Sequence, residues 1–249
     1  MSSRLKLVVA YDGAPFAGWQ SQTNQNAVQD HIERAFKIVT GEKVRVHGAS
    51  RTDAGVHALA QTAHIELSKR SLGAAQWPSA LNASLPAAIR IFRCAYVTDK
   101  FHARYSALGK LYRYRIWNDR ILPPFEVGRA WHVPASLNFE VMSREAKAFI
   151  GRHDFASFAA NRGKPEHDTF RNIDRAQLRR RGKCLVIEIS GSGFLYKMVR
   201  LMVGALVRSG RGQGEAGEIA ERLRKPAHAS AAARFAAPAC GLTLVRVIY

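Results

Sequence analysis

Apolar and polar side chains alternate from Arg4 to Tyr11, with β-branched residues among them, and this period of two predicts a half-buried strand. Gly13, Pro15 and Gly18 then mark a loop, whose Phe16 and Trp19 read as an exposed pair and a candidate contact surface. The period changes to 3.6 where Val28, Ile32, Ala35, Phe36 and Val39 share a face. Ala27 to Thr40 is therefore a predicted amphipathic helix, with Gly41 as its C-terminal stop. Val44 to His47 predicts a second strand and Gln61 to Leu67 a third, joined through the small-residue loop Gly48 to Gly55. A short helix around Ser79 to Leu85 and a strand from Ile89 to Val97 complete a unit of β-α-β-β-α-β character.

A second pass follows. Lys110 to Trp117 alternates as a strand, Phe139 to Ile150 is helical, Asn172 to Leu178 and Cys184 to Ser190 form a hairpin, Leu195 to Arg208 is helical, and Leu242 to Ile248 is a last strand. The similar element order predicts an α+β protein of two related α/β halves, each with a largely antiparallel sheet flanked by helices, and a cleft between them. No residue-level repeat accompanies it. A boundary between Ser106 and Gly109 divides the chain into residues 1–106 and 107–249.

With 249 residues, 47% of them hydrophobic, the chain can bury roughly 70 to 75% of its unfolded surface, which excludes wholesale disorder. Lys and Arg number 38 against 19 Asp and Glu, a formal charge of +19, and 27 of the 38 are Arg, whose planar fork grips phosphate oxygens in pairs. Nucleic acids and other acidic substrates become the leading partners. Residues 1–106 hold 13 basic and 7 acidic side chains and residues 107–249 hold 25 and 12, so the second half is expected to carry most of the grip on a phosphate backbone. The run Arg179 to Arg181, taken alone, reads as a solvated hairpin tip.

The first apolar stretch is too short for a signal-peptide core and ends at Asp12, and Met198 to Val207 is interrupted by Arg200 and falls short of the roughly 20 residues of a membrane span. A cytoplasmic protein is expected. Cys94, Cys184 and Cys240 are widely spaced without a C-x-x-C pair, which predicts reduced thiols. Gly212 to Gly217 fits G-x-G-x-x-G but follows a helix instead of a strand, so it lacks the geometry of a dinucleotide site. His64-Ile65-Glu66 has no cysteine pair to make a zinc deaminase site, and none of the nine histidines sits at metal-ligand spacing. His47, His57 and His64 read as structural or loop hydrogen-bonders.

Ser50-Arg51-Thr52-Asp53-Ala54-Gly55-Val56-His57 places a carboxylate among small residues, with a cation two positions earlier and a turn glycine two positions later. An Asx-type turn explains such an Asp by itself. In a basic, phosphate-binding groove, however, an ionised carboxylate is repelled by the ligand it faces, and its retention there points to chemistry.

The segment Arg51 to His57 resembles the catalytic loop of the tRNA pseudouridine synthase A (TruA) family. The resemblance extends along the chain through Tyr11-Asp12-Gly13 with Phe16 and Gly18-Trp19-Gln20, Phe101-His102-Ala103-Arg104, Tyr112-Arg113-Tyr114, His153-Asp154-Phe155, Gly193-Phe194-Leu195 with Met198-Val199-Arg200 and Val203-Gly204, and Ala237-Pro238-Ala239 with Gly241-Leu242. Ser50 stands where many members have glycine.

This resemblance implies the pseudouridine synthase fold and the isomerisation of uridine to pseudouridine at nucleotides 38–40 of the tRNA anticodon stem-loop, with no cofactor or metal and with a homodimeric enzyme. It implies that Asp53 is the catalytic anion, either as nucleophile at C1′ or as base at C2′. A cation within about 4 to 6 Å lowers a carboxylate pKa, and Arg200 is the candidate partner, the other reading being a helix arginine that extends to water. Tyr112 is the candidate platform for the flipped base, or else a cross-strand packing residue; Tyr114, on the same strand face, is equally a core residue. Arg51 is a candidate to fill the space the base leaves, or to contact phosphate, and Leu242 to line the pocket. The competing class is a basic RNA-binding or chaperone module without catalysis, which leaves Asp53 unexplained.

Overall fold

A computed structural model describes residues 3–23, 25–160, 167–225 and 235–249. The chain divides into two compact units, Met1–Leu108 with Thr243–Tyr249, and Gly109–Leu242.

In the first unit, β1 (Ser3–Tyr11) lies between β3 (His57–Leu67) and β4 (Ile89–Val97), antiparallel to both. Register sets Leu5 opposite Ile65 and Leu7 opposite Ala63 and Cys94, so the apolar positions of three strands share one face. Against that face pack α1 (Val28–Thr40) and α2 (Trp77–Asn82), whose Ile32, Phe36, Trp77 and Leu81 are fully buried. Each such side chain contributes about 1.5–3 kcal/mol by leaving water. The start of α1 is held by Asp30, whose carboxylate accepts the Ala27 amide at 2.9 Å, and its end by Gly41 at φ +76°.

The elements depart from the hydrophobic pattern at several points: α2, expected around Ser79 to Leu85, spans Trp77–Asn82. The predicted strand at Val44 to His47 shrinks to β2, His47–Gly48, paired with β3, because the Val46 amide donates to Glu33 Oε1 (2.9 Å) in place of a sheet partner. The third strand begins at His57, four residues early, where it meets β10 (Leu242–Ile248) in parallel at Thr243 and Leu244. The last strand, expected in the second half, thus joins the first unit.

In the second unit β5 (Gly109–Trp117), β9 (Cys184–Gly191), β8 (Phe170–Arg181) and β7 (Gly151–Asp154) form consecutive antiparallel neighbours, and β6 (Trp131–His132) pairs with β5 in parallel. Tyr112, Tyr114 and Ile116 stand opposite Ile189, Ile187 and Leu185, and this buried face is met by α3 (Phe139–Lys147) and α4 (Met198–Gly210). A further helix, α5 (Glu218–Arg224), follows Gly217. Helices α3 and α4 stop and start three residues inside the predicted limits: α3 gives way before Gly151, and α4 begins only after Lys197 turns the chain at φ +57°. Arg179, Arg180 and Arg181 are all exposed at the hairpin end, as expected, and the Arg180 guanidinium lies over the Phe139 ring at 5.2 Å. Among the described residues no helix is long and apolar enough to cross a membrane.

Candidate active site

The loop from Ala49 to Val56 connects β2 to β3, and its backbone is tethered on both sides of Asp53. The Ala49 amide donates to Thr62 O (2.8 Å) and Gln61 Nε2 donates to Ser50 O (2.7 Å). The Thr52 carbonyl accepts the Trp19 amide (3.0 Å), and the Thr52 hydroxyl shares a buried 2.8 Å hydrogen bond with the Tyr11 phenol. The Val56 amide donates to Asp53 O (3.1 Å) across a turn that Gly55 makes possible at φ +78°. Ala49, Thr52 and Val56 point into the protein, Arg51 and Ala54 are exposed, and Asp53 is half-exposed. The result is a carboxylate presented from a backbone with little freedom to move.

What lies beneath the loop is the segment read from sequence as a contact surface. Phe16 and Trp19 are 6% and 2% exposed, so that expectation is overturned. Pro15 is exposed, but the glycines that signal a surface loop here serve close approach. A Cβ on Gly18 (φ +94°) would stand 2.6 Å from Thr52 O, one on Gly13 2.0 Å from Val56 O, and one on Gly48 2.3 Å from the Trp19 indole nitrogen. Tyr11-Asp12-Gly13 and Gly18-Trp19 therefore form the bed on which residues 48–56 rest. His57 Nδ1 lies 3.1 Å from both the Gly13 amide and Asp12 Oδ1, closing the same bed from the β3 side.

Three of the five candidate residues belong to the second unit. Tyr112 is 5% exposed, with its ring edge-to-face against Phe194 at 5.0 Å. Tyr114 is core: it is fully buried, donates its hydroxyl to Pro238 O (2.7 Å) and packs so tightly on Gly241 that a Cβ there would come within 2.6 Å of its ring. Burial raises its pKa, which keeps the phenol neutral. Arg200, third in α4, is part-buried; its Nε donates to Ala237 O (2.7 Å) while its carbonyl accepts the Ala237 amide (3.0 Å). Leu242, next to that tethered segment, is buried.

Sequence reasoning missed a second feature of the first unit. His47 stacks on His64 at 5.0 Å, His64 meets His102 edge-to-face at 4.6 Å, and His102 meets Tyr105 at 4.3 Å. Burial, and then the charges of His102 and His47, lower the pKa of His64 to about 4; His102 is lowered in the same way. No group of three or more His, Cys, Asp or Glu among the described residues is arranged to hold a metal ion. Only the residue types in Phe101-His102-Ala103-Arg104 hinted at this cluster.

The family described as tRNA pseudouridine synthase matches residues 7–106 and 146–249. Among curated proteins, the tRNA pseudouridine synthase A of Akkermansia muciniphila is 44% identical over 253 residues, spanning 99% of this chain and 95% of that protein. That of Acetivibrio thermocellus is 44% identical over 98% of this chain and 99% of its own. That of Rhodopseudomonas palustris is 42% identical over 99% of both.

Proposed function

We propose, from the premise that this chain belongs to the tRNA pseudouridine synthase family, that it isomerises uridine to pseudouridine in the anticodon stem-loop of tRNA, at nucleotides 38–40, with Asp53 as the reacting anion. Membership makes the chain a tRNA-directed isomerase and removes the reading as a non-catalytic RNA-binding module.

In the reaction the bond from ribose C1′ to N1 breaks, the base turns, C1′ bonds to C5, and the hydrogen of C5 is released as N1 takes up a proton. Nothing else is consumed. A glycosidase needs two carboxylates because it must also activate water; here the detached base is recaptured, so one suffices. Asp53 engages the ribose at C1′ or C2′, and only the ionised form does either. The observation that carries this reading is the tethering of residues 49–56: Thr52 and Val56 are pinned and Asp53 is left half-exposed between them. Such fixed placement is what converts a side chain into an efficient reactant.

Arg200 is the proposed cation accompanying Asp53, Tyr112 the proposed face against which the uracil rests, Leu242 a pocket wall, and Arg51 the side chain that enters the stack the base vacates. Flipping costs a few kcal/mol, and an aromatic contact returns about 1–3. The charge of +19 supports recognition through phosphates and shape, which suits several adjacent targets. The enzyme acts in the cytoplasm as a homodimer, in keeping with the family resemblance. Mapping carbodiimide-reactive nucleotides in tRNA from a strain lacking the gene, before and after treatment with the protein, tests the assignment: modification confined to 38–40 supports it, and modification elsewhere overturns it.

A further inference from the structure

Tyr105 is 77% exposed, yet its ring is not loose. One face sits against His102 at 4.3 Å and 31°, and the turn that carries it is fixed at each step. The His102 amide donates to Ser106 Oγ (2.9 Å), the Ser106 amide to His102 O (2.9 Å), and the amides of Arg104 and Tyr105 to His102 Nδ1 (3.1 and 3.2 Å). Beneath His102 lie His64, which accepts the Ala103 amide at 3.2 Å, and exposed His47. The Arg104 guanidinium is 5.7 Å from the Tyr105 ring. A large aromatic face held open to solvent on a rigid support, beside a cation, is unusual for a protein surface and suits an unpaired nucleobase with its phosphate.

Burial and neighbouring charges lower the pKa values of His64 and His102, which favours neutral aromatic rings at these two positions beneath Tyr105. The chain links it to the reacting loop. From His47 to Asp53 is six residues, a span of at most about 20 Å, and a nucleotide strand advances about 3.4 Å per residue when stacked. A base on Tyr105 and the uridine at Asp53 therefore lie within reach of one stem-loop.

We propose that Tyr105, supported by His102 and flanked by Arg104, is a stacking subsite for an unpaired base of the same tRNA that is modified at Asp53. This rests on the isomerase reading and adds to it a second point of contact. The test measures tRNA affinity by filter binding and the KM and kcat of tritium release from C5-tritiated tRNA, for wild type, Tyr105→Ala and Tyr105→Trp. Tyr105→Ala is expected to raise Kd and KM about 5- to 150-fold, and Tyr105→Trp to restore them, with both variants sedimenting and melting like wild type. Unchanged affinity in Tyr105→Ala overturns the proposal, as does a loss that Trp fails to restore, a loss confined to kcat, or a changed oligomeric state without a change in RNA affinity. Absence of tritium release from wild type would instead strike at the isomerase reading, so the two failures are distinct.

Discussion

Gly18→Ala is the most informative perturbation of the site, because its added Cβ presses on backbone atoms of Thr52, Asp53 and Ala54 and leaves every side chain proposed to meet RNA unaltered. Gly18 adopts φ +94°, where an L-residue pays about 1–2 kcal/mol. Its new Cβ would stand 2.6 Å from Thr52 O and 3.1 Å from Ala54 N, so the loop must retreat by about 0.8 Å to restore an ordinary 3.4 Å contact. Overpacking of this kind costs about 1–3 kcal/mol. Together these amount to about 2–5 kcal/mol, or a Tm lower by about 4–20 °C at this chain length. A displacement near 1 Å at a reacting group lowers rates about 100-fold, so kcat should fall roughly 10- to 100-fold. Gly41→Ala is the control: Gly41 has φ +76° with nothing within 4 Å of its would-be Cβ, so it carries the backbone strain alone. It should lose about 2–8 °C in Tm and keep its kcat. Tritium-release kinetics and calorimetry on both variants check this. A Gly18→Ala enzyme with unaltered kcat, or a Gly41→Ala enzyme equally slowed, would refute the idea that residues 11–19 hold the loop in position.

Stability should fall on acidification through His64. The unfolded chain takes up that proton near 6.5 whereas the folded protein resists until about 4. The contribution is therefore complete above pH 6.5 and is lost as pH falls toward 4, with His102 acting in the same direction. After allowance for partial solvation, about 1–2 kcal/mol should disappear between pH 7 and 4.5. Urea titrations should show this for wild type and a flatter profile for His64→Asn; equal slopes would argue against it. In α4, a Cβ on Gly204 would meet Phe235 O at 2.0 Å. Gly204→Ala should thus lower Tm by about 2–12 °C, whereas a helix glycine in open space gains stability from the same change; a raised Tm would show that Phe235 does not approach the helix this closely.

The elements with a strong period were legible before any coordinates: β4 and β10 have their predicted limits, and α1 lies one residue inside its own. Periodicity reports which face is buried but not what it is buried against, so it encodes neither the parallel pairing of β10 with β3 nor the early start of β3. Residues 44–46 looked like a strand because Val44 and Val46 are apolar, yet the tie from Val46 to Glu33 is a side-chain contact that no local pattern encodes. The Asp53 loop stood out by composition and resemblance. Its support did not, since the bonds from Tyr11 and Trp19 to Thr52 join positions more than 30 residues apart. Phe16 and Trp19 show where local pattern runs out: Gly-rich punctuation predicts exposure, and here it permits burial.

The proposed isomerisation depends most on a single ionised carboxylate, that of Asp53. Single-turnover tritium release from C5-tritiated tRNA at saturating enzyme, run in parallel with filter binding for wild type and Asp53→Asn, tests it directly. The isosteric amide keeps the shape and removes the charge. Release should fall by roughly 10⁴-fold or more, with Kd for tRNA within about threefold of wild type, because grip on RNA comes from phosphate contacts elsewhere. Release by Asp53→Asn at a rate near that of wild type would contradict the assignment outright.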